Sequence, residues 1–463
     1  MASRAHALLD VDRQPAPAID GAALQVEIER VGRAIASERA LGLAHPLRAA
    51  GRRAIQMTSA DAQLRAALFR LVDVTPACRD VEDIGRHFAS FAGELDGSRQ
   101  VRLALALADN RAGRVILGRA VASGVRQTAR RFIAGETPRA AGRELERLWR
   151  SGIATSVDLL GEVTVSAAEA DAYALRCGQM LAEVGELARA WPAQPSLERD
   201  SLGPLPRANL SVKVSSLTPL LRPQAPALGV GDAARRLRPL LARARDLGAH
   251  VHIDMESLDS LEATVELALE VLGELAFRDG PSAGLVLQAY LQQSPALLER
   301  ILDWAARTPR RVPLTVRLVK GAYWDHEVAV ARQHGWRVPV FTDKAECDRN
   351  FEALTRRLLD ARPLVRVAVG SHNLRSIAHA IAYNRLRGGR DEDLELQVLR
   401  GLGDQLATAL ARHGVRVRVY TPVGDLVAGM AYLVRRLLEN TSNESFLLAQ
   451  QHGASLERLL TAP

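Results

Sequence analysis

Only three of the 61 lysine and arginine residues are lysines: Lys213, Lys320 and Lys344. Exposed lysine and arginine exchange freely, whereas a compact ammonium and a planar guanidinium are not equivalent at a site, so lysines that persist here are candidate site residues. Each lies beside an apolar or β-branched run that reads as a strand. The ends of such runs carry Asp158 and Glu162, Lys213 with Ser215, Asp254, Gln288, Arg317 with Lys320 and Tyr323, His372 with Asn373, Gln397, and Tyr420. Charges at buried strand ends are costly unless they pair or meet a ligand, so several together imply a binding site or a salt-bridge network. Near the C-terminus, Arg435 and Arg436 are consecutive on an expected helix, Asp425–Asn440, with Glu439 one turn on. Adjacent guanidinium groups suit an anion, most simply a carboxylate held bidentately.

The elements that must position these groups change character along the chain. Residues 1–20 lack periodicity and read as a disordered tail. Residues 21–150 are helical in pattern, with Leu24, Ile28, Val31 and Ile35 recurring at three and four residues, and form a helical arm or cap. After Gly152, strand runs alternate with helical stretches: Ala154–Leu160, Leu210–Ser215, His250–Met255, Leu285–Tyr290, Leu314–Lys320, Val365–Gly370, Leu394–Leu399 and Val415–Tyr420. This alternation predicts an α/β fold, a (β/α)8 TIM-like barrel over 151–450 behind the all-helical arm, with a tail at 451–463. Chemistry in such a barrel gathers at the C-terminal ends of the strands. Ser166 with Glu169 reads as a capping box, and Asp232 and Asp325 as helix entries. The Pro-rich stretches 191–206 and 219–226 read as surface loops.

With 463 residues, 48% hydrophobic and 25% charged, the chain can bury a large core. The net charge of +8 comes from dispersed arginines, and aromatic content is 4%, a poor basis for base stacking; no nucleic-acid partner is expected. Cys78, Cys177 and Cys347 are isolated, which argues against a disulfide framework or a zinc site. Neither a signal peptide nor a long uncharged apolar run is evident, so a cytoplasmic protein, at most peripheral to the inner membrane, is expected.

The segment Leu314-Thr-Val-Arg-Leu-Val-Lys-Gly-Ala-Tyr-Trp-Asp325 resembles the signature strand of the proline dehydrogenase family. In order along the chain, further resemblance lies in Ser156-Val-Asp-Leu-Leu-Gly-Glu162, Ser211-Val-Lys-Val-Ser215, Ile253-Asp-Met-Glu256, Val286-Leu-Gln-Ala-Tyr290 and Pro339-Val-Phe-Thr-Asp-Lys344. It continues through Ser371-His-Asn373, Glu395-Leu-Gln-Val-Leu-Arg-Gly-Leu-Gly403, Val419-Tyr-Thr-Pro-Val-Gly424 and Tyr432-Leu-Val-Arg-Arg-Leu-Leu-Glu-Asn440. The arm, including Leu68-Phe-Arg-Leu-Val-Asp-Val74, resembles the start of proline utilization A proteins, which continue into an aldehyde dehydrogenase; the sequence ends at Pro463 without one, reading as a split enzyme or the first part of a longer chain.

The resemblance implies FAD-dependent oxidation of L-proline to 1-pyrroline-5-carboxylate, with hydride passing from proline C5 to flavin N5 and electrons going to a quinone, and with a separate 1-pyrroline-5-carboxylate dehydrogenase as a possible partner. It implies that Arg317 approaches the flavin N5, that Met255, Gln288, Val319, Lys320, Gly321, Ala322 and Trp324 contact FAD, and that Thr342, Lys344, His372, Asn373 and Glu439 hold its remaining parts. On the substrate side it implies that Lys213, Arg435 and Arg436 grip the carboxylate while Tyr323 and Tyr420 pack on the ring. Asp254 would sit among them, orienting Lys213, with Asp158 and Glu162 in support. No GxGxxG opens a helix after a strand, so side chains and barrel loops must hold the dinucleotide. The chain departs from the family at Arg400, where His is frequent, and at Ser257 after Glu256, where the family commonly has a second acid.

An alternative is a metal-dependent barrel hydrolase, since His250-Val-His-Ile-Asp254 presents a His-x-His pair that Lys213 and His372 could complete. Against it, His250 and Asp254 lie roughly 13 Å apart along a strand, too far to share one metal, and a buried structural histidine pair is the stronger reading; no metal is expected.

Overall fold

The computed structural model describes residues 19–41, 70–71, 74–94, 105–161, 163–425, 429 and 455–463. The arm contributes helices α1 (Gly21–Leu41), α2 (Val81–Ala92), α3 (Arg111–Phe132) and α4 (Pro138–Arg150). Eight strands follow: β1 (Ile153–Leu159), β2 (Asn209–Lys213), β3 (His250–Asp254), β4 (Ser282–Gln288), β5 (Leu314–Val319), β6 (Val365–Gly370), β7 (Leu394–Leu399) and β8 (Arg416–Val423). All neighbours pair in parallel, and β1 meets both β2 and β8, which closes the barrel. The crossovers carry α5 (Ala167–Arg189), α6 (Pro226–Leu247), α7 (Leu258–Gly273), α8 (Ser294–Arg307), α9 (Trp324–Gln333), α10 (Lys344–Asp360), α11 (Leu374–Leu386) and α12 (Asp404–Arg412). The eight expected runs are the eight strands, and the (β/α)8 expectation is borne out.

The strands differ from the continuous apolar runs usual in a parallel sheet covered on both faces. Along β3, Val251 and Ile253 join the apolar shell under the helices, while His250, His252 and Asp254 face the barrel interior. The same alternation holds on β7 and β8, where Leu396, Val398, Val417 and Val419 pack outward and Glu395, Gln397, Arg416 and Arg418 point in. The apolar core therefore lies between strands and helices, and the tube itself is filled with polar and charged side chains. Gly284 makes room for this filling, since a Cβ there would stand 2.3 Å from the His252 ring.

Several local readings are corrected. Asp232 lies inside α6 rather than before it, accepting from Thr218 Oγ1 at 2.7 Å and from Arg236 Nη1 at 2.7 Å. Ser166 does cap α5, accepting from Glu169 N at 3.3 Å, and Asp325 sits in the first turn of α9. The stretch 191–206 lies largely at the surface as expected but is ordered: Trp191 packs tilted against Trp149 with ring centroids 5.4 Å apart, Arg199 and Asp200 pair with Gly203 and Pro204 in a short hairpin, and the Asp200 side chain reaches into the barrel floor. Residues 455–463, expected within a tail, carry α13 (Leu456–Leu460), whose Leu460 is buried against Gly32 of α1. Buried Arg375 ties these pieces together, donating to Leu460 O at 2.6 Å, Gln25 Oε1 at 2.8 Å and Glu352 Oε1 at 2.7 Å.

The histidine pair has a consequence for acid stability. His250 Nδ1 meets Ser282 Oγ at 2.8 Å and its Nε2 meets His252 Nδ1 at 3.1 Å, with Arg317, Arg366, Arg418 and Glu395 around them. Burial, reinforced by Arg418, lowers His250 to about 3, and burial with Arg317 holds His252 well below the usual range. Groups with depressed folded values contribute stability above the unfolded value, about 6.5 for histidine, and lose it as pH falls through the window down to the folded value. The melting temperature is thus expected to start falling just below pH 6.5, well before carboxylates protonate, and His250→Asn should flatten the slope. A melting temperature level between pH 6.5 and 5 would contradict this.

Candidate active site

At the C-terminal mouth, β3, β5 and β8 bring three side chains into one hydrogen-bonded set. Asp254 accepts from Arg317 Nη1 at 2.8 Å on one oxygen and from Tyr420 Oη at 2.6 Å on the other. Arg317 is 4% exposed, and its second amino group donates to Ser211 Oγ at 3.2 Å and Ser156 Oγ at 3.4 Å. Its Nε is buried without a partner. The guanidinium carbon lies 5.5 Å from the centre of the Tyr420 ring, so one face of the phenol is covered by positive charge.

Lys213, at the end of β2, pairs with Asp158 of β1. Burial opposes its charge, yet Asp158, with Asp254 behind it, holds the ammonium above the usual lysine range. Asp158 makes the direct contact with Lys213, while Asp254 acts on the ammonium through its charge alone and hydrogen-bonds Arg317 and Tyr420. The register explains it, because Asp158 is paired with Ser211, two residues before Lys213 on the same inward face. Asp158 Oδ2 has no hydrogen-bond partner.

Beside this set runs a second wall. Gln288, 3% exposed, donates from Nε2 to Glu256 O at 3.1 Å and leaves Oε1 unpartnered; Met255 is buried nearby in sequence to Glu256, and Glu256 accepts from Ser215 Oγ at 2.8 Å. Val319 ends β5, followed by Lys320 and Gly321. Gly321 has φ +128°, and a Cβ there would stand 2.2 Å from the Tyr290 ring, so both conformation and space demand glycine. Ala322 is exposed, Tyr323 half-buried, and Trp324 38% exposed with its indole N–H on Phe341 O at 2.9 Å. Lys320 pairs with Asp348, which also accepts from Lys344 Nζ at 2.7 Å. Burial pulls the Lys320 ammonium below the usual range, Asp348 notwithstanding. Thr342 is exposed at the start of this segment. Across the mouth, His372 Nε2 accepts from Leu399 N at 2.9 Å, which in the neutral ring puts the proton on Nδ1. Asn373 caps α11, its Oδ1 accepting from Arg375 N at 2.9 Å and Ser376 N at 3.3 Å.

Glu162, Arg435, Arg436 and Glu439 lie outside the described residues. Gln397, expected at the mouth, sits deeper, donating to Glu395 Oε1 at 2.6 Å and lining the floor. The histidine pair is also on the floor: His250 is aligned with Asn209 at the start of β2, whereas Lys213 at its end is aligned with Asp254. Lys213 and His372 thus cannot complete a metal set with it, which removes the geometric basis of the hydrolase reading. Sequence reasoning missed Asp348, although its i, i+4 spacing from Lys344 on one helix was a usable signal. It also missed the serine support of Arg317, and the role of Arg400, which reaches Glu144 of α4 at 2.6 Å and fastens the arm to the β7 exit.

A family model for proline dehydrogenase matches residues 141–449, and one for the proline utilization A N-terminal domain matches residues 25–132. The chain belongs to the proline dehydrogenase family. A bifunctional PutA protein of Salmonella typhimurium is 30% identical over 347 residues, covering 73% of this chain and 25% of that protein. Proline dehydrogenase 1 of Bacillus subtilis subsp. natto is 29% identical over 330 residues, covering 71% of this chain and 92% of that protein. The crystal structure of proline utilization A from Bdellovibrio bacteriovorus, inactivated by N-propargylglycine, superposes with TM-score 0.83 at 32% identity over 95% of this chain and 44% of that one. The chain thus spans a quarter of the bifunctional relative and less than half of the solved structure. No helix among the described residues is long and apolar enough to cross a membrane.

Proposed function

We propose that this chain oxidises L-proline to 1-pyrroline-5-carboxylate with FAD bound at the barrel mouth, the first step of proline breakdown. The observation that carries the reading is the Asp254, Arg317, Tyr420 set beside the Lys213 and Asp158 pair, at the C-terminal end of a proline dehydrogenase family barrel. N-propargylglycine, with which the Bdellovibrio protein was inactivated, is a secondary amine bearing a carboxylate, as proline is, and this supports the same substrate class here.

The residues fit FAD in two respects. Two ammonium groups, Lys320 and Lys344, share one carboxylate, leaving a positive seat suited to a diphosphate. Gln288 Oε1 and Arg317 Nε are buried polar atoms awaiting a partner, as expected of a wall built for a polar ring system. Met255, Gln288, Arg317, Val319, Lys320, Gly321, Ala322 and Trp324 would line the flavin, and Thr342, Lys344, His372, Asn373 and Glu439 the remainder. Bound FAD would supply the acceptor for the hydride from C5, and a quinone the onward acceptor.

The chain's own residues bind and orient. Lys213, kept charged by Asp158, offers an ammonium to the substrate carboxylate, joined in this proposal by Arg435 and Arg436. Tyr420, held by Asp254, would face the substrate ring, with Tyr323 packing beside it in this proposal. Arg317 is fixed on three sides, so its positive charge is preorganised rather than recruited during reaction, the arrangement that stabilises developing negative charge most effectively. Fixing the substrate replaces an encounter with an oriented contact.

The protein supplied with FAD should be yellow, its flavin band bleached by L-proline and unaffected by a chelator. Lys213→Met should raise KM for proline about 10- to 100-fold while FAD content stays near stoichiometric, since one charge-assisted contact is lost. A colourless preparation, or bleaching by proline that is indifferent to Lys213, would overturn the assignment.

A further inference from the structure

The opposite end of the barrel holds a feature the reaction does not use. Asn209, His250, His252, Ser282, Arg366 and Arg418 are among the residues that line a cavity of about 20 Å³, with Leu205 and Pro206 at its edge and Glu395, Gln397 and Arg416 also in its wall. Such a volume suits one water-sized or halide-sized occupant. Arg366, Arg416 and Arg418 are each at most 4% exposed. Two carboxylates face them: Asp200 accepts from Arg366 Nε at 2.9 Å and Nη2 at 3.1 Å, and Glu395 accepts from Arg418 Nε at 2.8 Å and Nη2 at 2.9 Å. The adjacent Arg362 and Asp393 pair at 2.9 Å adds no net charge, and burial keeps both histidines neutral.

Among the described residues one positive charge is therefore left over, and Arg416 is the floor arginine without a direct carboxylate hydrogen bond. This residue donates from Nη1 to Glu392 O, a neutral partner, and stands 3.6 Å from Glu395 and 4.0 Å from Asp200, within ion-pair range of both but too far for a hydrogen bond to either. Its Nε and Arg366 Nη1 are both buried donors without partners. A water could accept from two such donors, but it would leave the excess charge in a medium where an unbalanced ion is costly. We propose that the floor cavity is a binding site for a single small monovalent anion of halide size, held by Arg416 Nε and Arg366 Nη1 and neutralising the floor of the barrel.

Bromide is the probe. Crystals of the full chain grown without halide and soaked in sodium bromide should show an anomalous peak in the cavity between Arg366 and Arg416. In solution, replacing sodium gluconate by sodium bromide at constant ionic strength should raise the melting temperature saturably, by about 2 °C. Arg416→Gln removes the leftover charge and should abolish the bromide dependence while leaving proline oxidation unchanged, because the site lies at the far end of the strands from Lys213. If that variant fails to fold, the wild-type anomalous map decides alone. A cavity holding only water in bromide, or a melting temperature that rises without saturating, would overturn the proposal.

Discussion

Arg317→Met is expected to lower the rate of flavin reduction by proline about 100- to 1000-fold, the range seen when a preorganised charge-stabilising group is removed. The size of the effect follows from how Arg317 is held: it is almost fully buried, anchored by Asp254 and two serines, and leaves one N–H free for a ligand. The substitution also leaves Asp254 with Tyr420 alone, so part of the loss could be structural. The double variant Arg317→Met, Asp254→Asn separates the two: neutralising the stranded carboxylate should recover melting temperature without recovering rate. Anaerobic stopped-flow reduction and thermal unfolding on the single and double variants measure both. A single variant that reduces flavin at the wild-type rate, or a double variant that regains it, would show that Arg317 acts only as a counterion for Asp254.

Glu395→Gln should cost about 3 to 5 kcal/mol of stability, because it strips a buried arginine of its carboxylate. Burial pushes the Glu395 carboxyl up, but Arg418, with Arg416 and Gln397, holds it well below the usual carboxylate range. Its folded value being depressed, Glu395 contributes stability that is complete above the unfolded value of about 4.3 and is lost as pH falls below it. The wild-type acid profile should accordingly have two limbs, a shallow decline from the histidines and a steeper one near pH 4 to which Glu144 and Asp232 also contribute, and Glu395→Gln should make the second shallower. Melting temperature recorded against pH for both proteins is the measurement. A variant within 1 kcal/mol of wild type would mean that the floor arginines are balanced by something other than Glu395.

The β-branched runs made the strands and barrel closure legible, and the polar residues at their ends gave the mouth. Lys213, Asp254, Arg317 and Tyr420 were each visible as a charge or phenol at the end of an apolar run. Which acid served which cation was not, because that depends on stagger: Asp158 reaches Lys213 through the β1 to β2 register, which no run of residues announces. The floor was legible in principle in Arg416-Val-Arg-Val-Tyr420, where charges alternate with valines. It stayed hidden because an interior of arginines departs from the branched apolar filling expected of such barrels. The order within the proline-rich stretch was hidden for a related reason, since Asp200 is held there by an arginine 166 residues away.

The two-faced character of the strands also constrains how the chain can misassemble. In an ordinary parallel barrel with apolar residues on both faces, sliding one strand by a single position exchanges like for like and is weakly opposed. Here the same slip would turn His250, Glu395 or Arg418 under a greasy helix and drive valines into the charged tube, so each wrong threading is penalised along the strand's whole length. One-residue deletions within β3, β7 or β8 should therefore be far less tolerated than point changes at the same positions.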